Sequence, residues 1–254
     1  MKLVSFLTFT FLSITYLCYA ELIESDTLQV ILHYCNRPDT LVVFDIDNTL
    51  AHQKTECGRD EWFSHLVSQK EAQGYSHLEA LYSTLPLFCY AQFNSPLTLL
   101  ETETPALFDY LHSHHIHTLG LTSRSLFLSE RTYEQLYNLG ITFQLPLTTM
   151  NELVMLMDYP CLYQHAILFT GNNDKGDTLL QFCKKINYYP QQIIFIDDKM
   201  HHVESVHRTV QNHNISCIAI RYSGSDSYVT HFNPIQAKKE LAVLLDKNRC
   251  AVPI

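Results

Sequence analysis

Three things are scarce in this chain, and each scarcity removes a class of protein. Beyond residue 20 no segment stays apolar for the roughly 20 residues that a membrane-crossing helix needs, so no span is expected after the N-terminal segment. Cations are few: 17 Lys and Arg face 26 Asp and Glu, for a formal net charge of −9. Without a basic stripe to meet phosphate backbones, nucleic acid is not expected as a partner. The cysteines fit no zinc spacing, and repeats and low-complexity tracts are missing. What is abundant is apolar surface, 46% of 254 residues. That is enough for a sizeable core, in one domain with a small accessory one, and it argues against disorder.

The N-terminus opens with Lys2, runs apolar from Leu3 to Leu17 and ends at Cys18-Tyr19-Ala20, with small residues in the last and third-last places. This is a signal-peptide layout with cleavage expected after Ala20, which implies a secreted or periplasmic protein. The apolar run is short for an uncleaved anchor. Tyr16 and Leu17 before Cys18 speak against lipid modification. Loss of Cys18 leaves Cys35, Cys57, Cys89, Cys161, Cys183, Cys217 and Cys250. An oxidising compartment would allow up to three bridges, although Cys183 and Cys217 sit in apolar contexts that suit core thiols.

Along the chain, Leu22, Ile23, Leu28, Ile31 and Leu32 recur at helical spacing, which predicts a short helix over 21–36. Residues 41–45 (LVVFD) read as a buried parallel strand with a carboxylate at its end. The plan recurs at 118–122, 166–170 and 193–198, and 217–220 is expected as an edge strand. Helix starts are marked at Thr104-Pro105, Ser129 and Asn233-Pro234, and Gly140 stops the second of these. The alternation predicts an α/β fold: a Rossmann-like, doubly wound, mostly parallel sheet, in which ligands bind beyond the carboxyl ends of the strands. Residues 51–103 are too long for one crossover and hold two helical stretches, 60–73 and 76–85, divided by Gly74. They read as a small helical cap inserted between 21–50 and 104–254. The stretch 145–164 keeps no clear period.

Asp45 and Asp47, at i and i+2 from a strand end, bring two carboxylates to one side of one pocket. Two such acids resist ionising together, so one suits a metal-bound nucleophile and the other a proton carrier. Alone, the pair reads better as a solvated turn capping Asn48 or Thr49. It is followed by a hydroxyl at Thr122, an ammonium at Lys175 at an expected helix start, and paired carboxylates at Asp197 and Asp198.

This order of Asp, Thr, Lys and Asp-Asp on strand ends resembles the four motifs of the haloacid-dehalogenase superfamily, over roughly residues 40 to 221. The nearest likeness is to a secreted bacterial phosphatase-like branch. The resemblance implies Asp45 as the nucleophile that becomes an aspartyl-phosphate, and Asp47 as the acid and later the base. It also implies Thr122 and Lys175 as phosphoryl-binding groups. Mg²⁺ would be held by Asp45, Asp47 through its main-chain carbonyl, Asp198 and Asp197. The implied activity is hydrolysis of a small phosphomonoester or a phosphorylated host molecule outside the cytoplasm. The other class of answer is a secreted binding or effector protein on the same scaffold.

Where related sequences often place Asn or another acid after the paired aspartates, this chain has His201 and His202. One is expected to orient an aspartate and the other to be exposed. The cluster of His112, His114, His115 and His117 reads better as a solvated helix end than as a metal site. His52 reads as a loop residue and the Trp62, Phe63, Leu66 stripe as packing. Asn214-Ile215-Ser216 is a glycosylation sequon, meaningful in a eukaryotic source.

Overall fold

The computed structural model describes residues 20–145, 151–213 and 215–249. The signal segment up to Tyr19, with Cys18, lies outside the described residues, as do Cys250, Asn214 of the sequon and part of the 145–164 stretch. In chain order the elements are β1 (Ala20–Ser25), β2 (Thr40–Phe44), β3 (Ala51–Gln53), α1 (Asp60–Ala72), α2 (His77–Asn94), β4 (Leu97–Leu99), α3 (Thr104–Ser113) and β5 (His117–Thr122). They continue with α4 (Ser129–Asn138), β6 (Glu152–Leu156), β7 (Pro160–Gln164), β8 (Ile167–Phe169), α5 (Lys175–Lys185), β9 (Gln192–Asp197), α6 (Met200–Gln211), β10 (Ser216–Tyr222), α7 (Asp226–Thr230) and α8 (Pro234–Arg249).

Eight strands form one sheet in the order β1-β10-β9-β2-β5-β8-β7-β6. Pairings from β1 through β8 are parallel, and the β7 and β6 strands add an antiparallel margin. The protein is α/β with a doubly wound, mostly parallel sheet. The continuous apolar strands explain why: successive residues point to opposite faces and both faces are covered. Val42, Phe44, Ile194 and Ile196 pack on one side with Leu107 and Phe108 of α3. Leu41, Val43, Ile193 and Phe195 pack on the other with Leu179 and Phe182 of α5 and Val203 and Val206 of α6. Gly120 of β5 has a packing reason to lack a side chain, because a Cβ there would lie 2.8 Å from the Phe143 ring.

Two local expectations give way to tertiary pairing. Instead of one helix over 21–36, the first residues form β1, which pairs in parallel with β10, and a 3-10 turn capped by Thr27 follows over Leu28–His33. Strand 217–220 is therefore interior rather than an edge, since β1 covers its open backbone. The second helix of the insertion runs on through Pro86 to Asn94 instead of stopping near Leu85. Proline costs a helical hydrogen bond, but Phe88 and Ala91 beyond it are buried in a third apolar cluster, and that burial outweighs the loss. Its start is secured by a capping box between Ser76 and Glu79.

The third cluster joins Cys57, Trp62, Phe88 and Ala91 to Ala237 and Leu241. Helices α1 and α2 thus share a small core with α8, while β3 and β4, on either side of these two helices in the chain, pair antiparallel. The 145–164 stretch resolves into the β6–β7 hairpin over its described part.

Candidate functional site

Strand register assembles the site. Phe44 lies opposite Ile196 on one side and Gly120 on the other, so Asp45, Asp197 and Thr122 emerge together at the carboxyl ends of three adjacent central strands. The Asp45 N–H donates to the Ile196 carbonyl (3.0 Å), extending the pairing by one bond. The chain then turns tightly, with Asn48 at φ 59° and the N–H groups of Leu50 and Ala51 donating to the Ile46 carbonyl (3.0 and 3.1 Å). Asn and Asp tolerate this left-handed geometry better than most side chains. Asn48 Nδ2 donates to Glu61 Oε1 of α1 (3.0 Å).

The turn is not solvated. Asp45 is 6% exposed, Thr49 is fully buried, and the Thr49 hydroxyl donates to Asp45 Oδ2 (3.2 Å). Lys175, the first residue of α5 and 1% exposed, donates from Nζ to Asp45 Oδ1 (2.6 Å) and to Asp197 Oδ2 (2.7 Å). Asp174 caps that helix by accepting from the Asp177 N–H (3.0 Å), which fixes where Lys175 leaves the backbone.

Asp197 and Asp198 have different surroundings. Asp197 spends one oxygen on Lys175 and the other on the Lys199 N–H (2.8 Å). Asp198 has a buried Oδ1 with no hydrogen-bond partner among the described residues, while its N–H donates to the Thr49 hydroxyl (3.1 Å). Oxygens of Asp45, Asp197 and Asp198 lie within 4.8 Å of one another, a buried carboxylate group able to hold a metal ion.

The electrostatics follow from that crowding. Burial, reinforced by the Asp45 and Asp197 carboxylates, pushes Asp198 up to about 8. Burial also pushes Asp45 up to about 7, against the pull of Lys175. For Lys175, burial favours the neutral amine, but Asp197 and Asp45 outweigh it and hold the ammonium above its ordinary value. Buried positive charge without negative neighbours would do the reverse. His202 is pushed down to about 3 by burial and by Lys175.

A cavity of about 410 Å³ opens over these groups. Asp45, Asp47, Thr122 and Lys175 line it, as do Phe63 of α1, Phe88 of α2, and His201 and His202 of α6. Neither imidazole hydrogen-bonds an aspartate among the described residues; His201 is exposed and His202 half-buried. Phe63 packs against the third apolar cluster, stacking on Phe88 at 4.8 Å, and also lines this cavity.

Over residues 23–248 the sequence matches the profile of a family described as "Protein of unknown function (DUF2608)". The chain belongs to the DUF2608 family. It is 22% identical over 222 residues to a Chlamydia trachomatis protein named "Putative outer membrane protein", covering 82% of each chain. A Chlamydia pneumoniae protein of similar name is 23% identical over 185 residues, covering 73% of this chain and 70% of that one. Among solved structures, a class C acid phosphatase from Bacillus anthracis with tungstate bound is similar at a TM-score of 0.37 and 13% identity, covering 87% and 84%. In the described residues of this DUF2608 protein no helix is long and apolar enough to cross a membrane.

Two features of the DUF2608 site escape motif reading. Arg124, 5% exposed, forks onto Asp47 with Nε to Oδ2 (2.6 Å) and Nη2 to Oδ1 (2.7 Å). Its position two residues past the Thr122 strand end was the available signal. Lys199 reaches Asp60 at the start of α1 (2.7 Å), tying the strand end after β9 to the insertion. The other histidines lie elsewhere: His112 meets the Thr118 hydroxyl (3.2 Å), His117 meets Tyr188 (3.1 Å), and His52 packs on Tyr228 at 3.9 Å. Cys35, Cys57, Cys89, Cys161, Cys183 and Cys217 are free thiols, with Cys183 and Cys217 buried.

Proposed function

We propose that this protein is a Mg²⁺-dependent phosphomonoesterase of the haloacid-dehalogenase type, acting outside the cytoplasm, with Asp45 as the nucleophile. The observation that carries the reading is the buried Lys175 shared between Asp45 and Asp197 beside an Asp198 oxygen that has no partner. A buried carboxylate oxygen without a donor, beside a cation already shared by two carboxylates, is accounted for by a bound ion.

The donor set fits a hard divalent cation: among the described residues the group is Asp45, Asp197 and Asp198, all carboxylates, with no sulfur or imidazole in it. Asp45, Asp198 and the Asp47 carbonyl would hold Mg²⁺, whereas Asp197, both of whose oxygens are engaged, holds Lys175 in place. Bound there, the ion would neutralise charge on the phosphoryl oxygens and on Asp45.

The protein's own groups supply the rest. Asp45 attacks phosphorus while the ester P–O bond breaks, and Asp47, oriented by the Arg124 fork, relays a proton from solvent to the departing alcohol oxygen. Water then attacks the aspartyl-phosphate, Asp47 takes a proton from it, and Asp45 returns as a carboxylate with release of phosphate. Thr122 accepts from the Arg124 N–H (3.1 Å), which leaves its hydroxyl hydrogen for a phosphoryl oxygen. Lys175 balances charge at the same centre. Residues 51–103 act as a cap that shapes the far wall of the cavity. Purified protein lacking residues 1–20 is expected to release phosphate from an aryl phosphate only with Mg²⁺ present. Unchanged turnover by Asp45→Asn would overturn the assignment of the nucleophile.

A further inference from the structure

Next to the carboxylate cavity lies a second hollow of about 390 Å³ whose wall carries no charged side chain. Leu78, Leu81, Tyr82 and Leu85 of α2 form one side, and Leu126 and Phe127, just past the Arg124 loop, form the other. Phe127 is 95% exposed and Leu78 48%, so this apolar surface is left open to solvent at a cost. The two hollows are adjacent and share a wall: Phe63, Leu85, Ser123, Ser125, Gly171 and Asn172 line both.

We propose that the groove seats an alkyl chain, so that the site takes phosphomonoesters of long-chain, uncharged alcohols. This rests on the phosphomonoesterase reading of the Asp45 site. A substrate with its phosphate among Asp45, Thr122 and Lys175 extends its leaving group past the shared wall into a channel that offers apolar contact and few hydrogen-bond partners. A sugar or nucleotide leaving group would lose hydration there without recovering it. An alkyl chain gains with every methylene buried. The net reaction adds water across the P–O bond, giving phosphate and the free alcohol.

The test is a series of n-alkyl phosphates from ethyl to octyl, kept below their micellar concentrations. Because the leaving oxygen is the same type throughout, chain length isolates burial. With Mg²⁺, kcat/KM is expected to rise about fourfold per methylene over several carbons, while glycerol phosphate stays near ethyl phosphate. Leu81→Gln and Phe127→Ser, which line the groove and not the carboxylate cavity, should cut octyl phosphate turnover at least tenfold and leave ethyl phosphate unchanged. A flat chain-length profile would overturn the proposal. Binding of ethyl- and octylphosphonate by calorimetry separates the two readings. Absence of turnover on every substrate sinks the phosphomonoesterase, and tighter octylphosphonate binding then still supports the groove. Equal binding of the two phosphonates sinks the groove. Dimerisation abolished by Phe127→Ser would also overturn it, by assigning the surface to a second copy of the chain.

Discussion

Arg124 holds Asp47 with both arms of its fork, and its remaining nitrogen is itself held by Thr132 (3.2 Å) and Gln135 (3.0 Å) of α4. The acid at the cavity is thereby oriented by a helix far from it in sequence. Planar bidentate geometry is something Arg supplies and Lys does not. Arg124→Lys is expected to keep the fold and lower kcat about 10- to 100-fold through misplacement of Asp47. Arg124→Ala, which strands a largely buried carboxylate, should cost about 3–5 kcal/mol in urea unfolding. Full turnover by the Lys variant would show that the fork is dispensable.

Lys175 balances two buried carboxylates at once, so its loss leaves uncompensated charge. Lys175→Met is expected to destabilise the protein by about 3–5 kcal/mol and to abolish phosphatase activity. Adding Asp197→Asn removes one of the stranded charges and should recover a substantial part of the stability but none of the activity. Additive losses in the double variant, measured by denaturant unfolding, would contradict the shared-cation arrangement.

Asp198 sets a pH dependence. Its value rises from 3.8 in the unfolded reference to about 8 in the fold, chiefly through burial. A raised acid favours the folded state fully below about 4, and that contribution is lost as pH climbs through about 8. Asp45, raised to about 7, acts in the same direction. The metal-free protein, in chelator, should therefore melt lower at pH 8 than at pH 5. Divalent-cation affinity should rise over the same window, since the ligands bind ionised. Asp198→Asn should flatten the pH slope, raise the metal-free melting temperature at pH 8 and weaken Mg²⁺ binding. A slope that persists in Asp198→Asn would assign it to other groups.

Gly176 follows Lys175 in α5 at a point of contact with α6. A Cβ there would stand 2.7 Å from the Ser205 carbonyl oxygen and 2.9 Å from the Ser205 hydroxyl. Ser205 also donates to the Asp174 cap (2.6 Å). Gly176→Ala gains about 1 kcal/mol of helix propensity, yet it must push α5 away from α6 and carry Lys175 with it. Net destabilisation and reduced activity are expected. A more stable, fully active alanine variant would mean that the joint yields without moving the lysine.

Much of the layout is legible along the chain, for reasons that are local. Apolar runs ending at Asp45, Thr122 and Asp197 mark buried parallel strands, since a strand covered on both faces has no polar alternation to show. The turn at Asn48 and the cap at Asp174 are likewise short-range effects. Where helical spacing misled, as at β1, the competing influence was the open edge of β10, about 200 residues further along the chain.

The amino-acid sequence alone therefore determined the α/β class and the set of strand-end residues that can meet, because these depend on periodicity and on neighbours within a turn or two. Tertiary structure alone decided that Arg124 holds Asp47 across 77 positions and that Lys175 reaches Asp45 across 130. It also decided that Asp197 is spent on Lys175 while Asp198 keeps a free oxygen, and that an apolar groove adjoins the acids. Those are contacts between distant segments, and their geometry is set by how sheets and helices pack rather than by any local pattern.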